Sequence, residues 1–146
     1  MTRRTLWPCP TCRRRFASKN QSHFCSAVPL SAHFKHKPPE IRRLYSAFLK
    51  ALRKHGPLKV LPEKTRIAFQ VRMSFAAVMT RRGYLRGHLV LAERHDSPCF
   101  TDIQTFSARN HLHAFILRSE ADIAALRPFI ALAYRVGRQE HLSNRL

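Results

Sequence analysis

The chain has 146 residues, 45% of them apolar, which suits one packed domain with a small appendage and argues against wholesale disorder. Its 27 Lys and Arg stand against 8 Asp and Glu for a formal charge of +19, and residues 1–60 hold 14 of the basic side chains but 1 of the acidic ones. No apolar run reaches the roughly 18–20 residues of a membrane-spanning helix, and MTRRTLWPCP lacks the apolar stretch of a secretory signal, so a cytoplasmic protein with reduced thiols is expected.

The first element is WPCPTCRRRFASKNQSHFC, running from Trp7 to Cys25. A Cys-x-x-Cys step such as Cys9-Pro-Thr-Cys12 folds into a tight turn that aims both sulfurs at one ion. His23 and Cys25 follow after a loop, and residues two apart in an extended segment share a side. Residues 1–28 therefore read as a zinc-knuckle-like segment with Cys9, Cys12, His23 and Cys25 as metal ligands. Three thiolates and one imidazole would close a tetrahedron around a structural Zn ion and leave no position for water. His33 and His36 are alternatives to His23 as the fourth ligand. A thioredoxin-type reading needs a strand before the motif and a helix after it, which this segment does not offer. Cys99 reads as a small buried hydrophobe.

Residues 29–38, with Pro29 and Pro38 and little periodicity, read as a linker, and 39–146 as an α+β domain. From Pro39 to His55, Ile41, Leu44, Tyr45, Phe48, Leu49 and Leu52 recur with helical spacing, and Gly56-Pro57 ends the pattern. Arg42, Arg43, Lys50, Arg53 and Lys54 fall on the opposite face. The period then changes to two. Strands are expected at 66–73, 75–80, 84–93, 101–107 and 111–118, with a short one at 58–61 also compatible. Short connections imply an antiparallel meander of four or five strands flanked by an N-terminal and a C-terminal helix. The last helix begins at a capping-box pair, Ser119 and Asp122, and Pro128 inside it predicts a kink or two consecutive helices.

The basic excess favours a polyanionic partner, because each phosphate neutralised releases condensed counterions. The expected function is a nucleic-acid-binding module. Its contacts come from Arg3, Arg4, Arg13, Arg14, Arg15 and Lys19 around the cysteines, with Arg42, Arg43, Lys50, Arg53 and Lys54 behind. The alternative is an enzyme or a small-ligand domain that gathers Lys64, Gln70, Arg72, His111 and His113 on a polar sheet face. A satisfied histidine pair beside the core is the plainer reading of His111 and His113. No nucleophile elbow, P-loop, dinucleotide fingerprint or catalytic carboxylate pair is present, and so few acids weigh against a hydrolase.

Taken together, CPTCRRRFASKNQSHFC, KPPEIRRLYSAFLKAL, KTRIAFQVRMSFAAV, LRGHLVLAERHDSPCF, NHLHAFIL and AYRVGRQEHL resemble a bacterial family of uncharacterised proteins. Its members join an N-terminal zinc-knuckle segment to a domain of unknown function, and some longer relatives are labelled "predicted transport protein". The resemblance covers nearly the whole chain. Its C-P-x-C and N-Q-x-H-x-C patterns fall on Cys9, Cys12, His23 and Cys25, which implies His23 as the fourth ligand. It implies a compact α+β domain and supplies no catalytic residues.

Overall fold

A computed structural model describes residues 5–21, 25 and 28–143 of the chain. Two short strands, β1 (Trp7–Pro8) and β2 (Arg15–Phe16), form a hairpin around the Cys-x-x-Cys turn. A 3-10 helix (Leu30–Phe34) and helix α1 (Pro39–Arg53) follow. The main sheet is built from β3 (Lys59–Pro62), β4 (Ile67–Gln70), β5 (Ser74–Thr80), β6 (Leu85–Leu91), β7 (Asp102–Ser107) and β8 (Asn110–Leu117), and the chain closes with α2 (Glu120–Gly137) and α3 (Glu140–Ser143). No helix among the described residues is long and apolar enough to cross a membrane.

The fold is α+β, and its sheet has six antiparallel strands where the periodicity predicted four or five. The additional strand is β3, the short strand that 58–61 allowed, and it pairs along its whole length with β4. The meander also fails at one point. The order is β3-β4-β5-β6-β8-β7, so residues 92–101 carry the chain past the place that β8 takes. Burial explains this: β8 has His111, His113, Phe115 and Leu117 buried on one face and its other face half-covered, whereas β7 is almost wholly exposed and suits an edge.

Two further expectations change. The stretch 29–38 is more than a linker, because its 3-10 helix lays Leu30 and Phe34 on the core and buries His33, whose carbonyl accepts the Thr80 hydroxyl. Five residues are too few to show a helical stripe in sequence. Helix α2 continues as one helix through Pro128, which removes the two-helix alternative, and its start is closed by the capping box of Ser119 and Asp122. Packing of Ile123, Leu126, Ile130, Ala133 and Tyr134 against the rest of the core outweighs the hydrogen bond that proline removes.

Both long helices lie on one sheet face. Phe48 and Tyr45 of α1 meet Phe69, with ring centroids 5.8 and 6.2 Å apart, and Phe48 meets Phe115 at 5.6 Å. Phe48, Leu52, Phe69, Leu89, Phe115 and Ile130 are fully enclosed. Each such side chain stabilises the fold by about 1.5–3 kcal/mol through burial. A bulge at Phe69/Gln70 ends β4 before the expected 73 and turns Phe75 toward α2, where it meets Tyr134 edge-on at 5.6 Å. Gly56 closes α1 at φ 142°, and a methyl group there would collide with the Tyr134 hydroxyl, which donates to the Pro57 carbonyl at 2.7 Å.

Candidate metal centre

The cysteine turn is held by its own backbone. Cys9 N–H donates to the Arg14 carbonyl and Arg13 N–H to the Cys9 carbonyl, both at 2.8 Å, while Arg13 takes φ 65°. These bonds curl residues 9–14 so that the Cys12 and Thr11 backbone N–H groups point at the Cys9 sulfur. That donation, the Cys12 N–H foremost, lowers the Cys9 thiol from 9.0 to about 6 against an opposing effect of burial. Cys25 joins the two from later in the chain. Burial first, and then the neighbouring Cys9 sulfur, raise its thiol to about 11.

The sulfurs of Cys9, Cys12 and Cys25 lie within 4.8 Å of one another, and Cys9 and Cys25 are 3.8 Å apart. A disulfide needs about 2.05 Å, whereas sulfurs around a tetrahedral zinc, each about 2.3 Å from the ion, are about 3.8 Å apart. The donor set and its spacing fit a metal ion. No described histidine joins the three sulfurs. His33 is buried within the 3-10 helix and His36 is exposed beyond it, so neither belongs to this cluster. His23 lies outside the described residues, as do Arg3 and Arg4.

The turn docks on the sheet face away from the helices. Phe69 faces α1, and the next residue, Gln70, reaches the other way to donate to the Arg15 carbonyl. Glu63, on the β3–β4 turn, holds Arg66 at 2.8 Å and Arg14 at 3.5 Å, and Arg14 also lies 5.5 Å over the Phe16 ring. Strand register puts Ala68, Ala77, His88 and Ala114 in one row on this face. Ala68 and Ala77 are buried there, and burial together with the Arg66 charge lowers His88 from 6.5 to about 4. The cysteine segment is the element anchored over this face, and Cys9 and Phe16 are each 4% exposed.

The cations expected to grip nucleic acid therefore divide into two groups on opposite sides of the sheet. Arg13, Arg15 and Lys19 are exposed on the cysteine side, while Arg14 is largely committed to Glu63 and Phe16. Arg42, Arg43, Lys50, Arg53 and Lys54 are exposed on α1, with Arg43 paired to Glu40 at 3.2 Å and Arg42 lying 4.7 Å over the Phe34 ring.

The five residues of the alternative pocket are not brought together. Lys64 is exposed at the β3–β4 turn and Gln70 is buried under the cysteine turn. Arg72 donates to the Gln139 side chain at 2.9 Å, its backbone N–H to the Gly137 carbonyl at 2.8 Å. His113 sits in the core on the helix side, its Nδ1 donating to the His111 carbonyl and its Nε2 accepting from His95 N–H, both at 2.9 Å. Burial lowers its pKa, consistent with a neutral ring so placed. His111 is likewise engaged at both nitrogens, by Thr105 Oγ1 at 2.9 Å and the Ala108 carbonyl at 3.1 Å. Cys99 is partly buried, its sulfur 3.2 Å from the Ser97 hydroxyl. Glu63 escapes a reading of the sequence; its one signal there is that it is the first acid after Glu40 in a strongly basic stretch.

These features define an α+β domain with a three-cysteine turn seated on its open sheet face. The chain belongs to the family described as Domain of unknown function (DUF5655), whose model matches residues 30–137, the part that comes after the three clustered cysteines. Comparison with curated proteins and with solved structures returned no match.

Proposed function

We propose that the protein is a zinc-stabilised nucleic-acid-binding module of the cytoplasm, in which the metal shapes the contact surface and takes no part in chemistry. Cys9, Cys12 and Cys25 would hold the ion with His23 as the fourth ligand. Bound there, the metal would supply a rigid cross-link between the β1–β2 turn and the segment that carries Cys25. The observation that supports this reading is Arg13 on the cysteine turn, Arg15 on β2 and Lys19 just beyond that strand, all three exposed. None of the three makes a salt bridge among the described residues. Compact cations on a fixed turn meet phosphates without the ordering cost that a disordered basic arm has to overcome.

The test combines metal analysis with binding. Purified protein is expected to carry one zinc per chain, and Cys12→Ser to carry about tenfold less. Changing Arg13, Arg15 and Lys19 together to Ala is expected to weaken binding to mixed DNA and RNA oligonucleotides by at least about tenfold, uniformly across sequences. Unchanged affinity in that variant would reject the cysteine-side surface, and a metal-free protein of undiminished stability would reject the staple.

A further inference from the structure

On the helix side, far from the cysteines, α1 and α2 enclose a groove of about 690 Å³. Its floor is apolar: Ala47 and Ala51, one turn apart on α1, leave the hollow, and Ile123 and Ile130 of α2 wall it. Its rim is cationic, with Lys50, Arg53 and Lys54 from α1 and Arg127 from α2 set against the single acid Glu120. All four cations are exposed, and none makes a salt bridge among the described residues. The His55 ring, 6.0 Å from that of Tyr134, belongs to the same lining at the end of α1.

We propose that this groove binds a small amphipathic organic anion, with a carboxylate or phosphate head among the rim cations and an apolar body on the alanine and isoleucine floor. The volume lies inside the roughly 300–1,000 Å³ typical of small-molecule sites. A solvated basic face needs no apolar hollow beneath it, and inorganic phosphate alone would leave that hollow unused. A polynucleotide would cross the outer face of α1 without reaching Ala47 and Ala51. From Ala47 to His55 the helix axis runs about 12 Å, room for a medium-length alkyl chain. The sheet separates this site from the cysteine side, so the proposal stands independently of the nucleic-acid reading.

The test is calorimetric titration of the full chain with decanoate and with decyl phosphate, below micelle-forming concentrations, alongside decanol and inorganic phosphate. One or both amphiphilic anions should bind saturably with one-to-one stoichiometry, at least about tenfold more tightly than decanol or inorganic phosphate. Which of the two binds more tightly identifies the head group. Ala51→Phe fills the floor and should weaken that binding at least about tenfold, and Arg127→Ala at least about threefold, with oligonucleotide affinity unchanged. Ala47→Phe serves the same purpose if Ala51→Phe does not fold. The proposal is overturned if neither anion saturates, if decanol binds equally well, or if a folded floor-filling variant keeps full affinity. A parallel loss of oligonucleotide affinity in that variant would also overturn it, by assigning the groove to nucleic acid.

Discussion

His88 shows how a single residue reports on the burial of a sheet face. It stands in a row of alanines on the sheet face away from the helices, and burial, followed by the Arg66 charge, brings its pKa from 6.5 to about 4. An unfolded chain takes up this proton near pH 6.5, while the folded one resists until about pH 4. The stabilisation is therefore complete above pH 6.5 and is lost as the pH falls from 6.5 toward 4. Its size is on the order of 2–3 kcal/mol. His88→Gln should flatten that part of the pH–stability curve, measured as the wild-type minus variant difference in urea unfolding at pH 7 and pH 4.5. An identical acid loss in both proteins would show that His88 is not enclosed. At this scale the sequence was legible for chemistry and illegible for partners. The spacing of Cys9 and Cys12 picked out two of the three sulfurs that cluster, and the alternation of β8 put His111 and His113 on one face. Their hydrogen bonds to the His95 N–H, Thr105 hydroxyl and Ala108 carbonyl reach outside that strand, and no periodicity encodes those.

Among the elements, the helices and the paired strands were the most readable, because α1 and β8 each repeat one period over many residues. The short pieces were not. A four-residue strand, a five-residue 3-10 helix and a bulge at Phe69/Gln70 are all set by tertiary pairing, and they account for the sixth strand beyond the expected four or five and for the docking of residues 30–34. Strand order was equally hidden, since only the poor burial of β7 against that of β8 tells which one is the edge. The element-level claim is that the cysteine turn is fastened to the sheet by Gln70 and Glu63. Gln70→Ala removes the donor to the Arg15 carbonyl and should cost about 1–2 kcal/mol in urea unfolding. On the proposed reading, in which a metal ties the turn to Cys25, the cost should shrink when a chelator is added. A cost that is the same with and without metal would mean that Gln70 serves the sheet alone.

For the whole molecule, the charge asymmetry seen in the first sixty residues becomes two basic surfaces with the sheet between them. The cysteine side is the β1–β2 hairpin and the residues just after it, bearing Arg13, Arg15 and Lys19; the helix side is α1, whose C-terminal cations rim an apolar groove. Composition alone could count these charges but not divide them, because the division depends on which way Phe69 and Gln70 point from neighbouring positions. A site containing Lys64, Arg72 and the two histidines looked coherent along the chain and is dispersed by the fold for the same reason. On the proposed reading, the nucleic-acid partner is recognised by charge presented on a metal-held turn. The most direct measurement is the salt dependence of oligonucleotide binding by the metal-loaded chain. With about three phosphates neutralised, one for each of Arg13, Arg15 and Lys19, affinity should fall about fortyfold between 50 and 200 mM salt. An affinity that stays flat over that range would contradict the account.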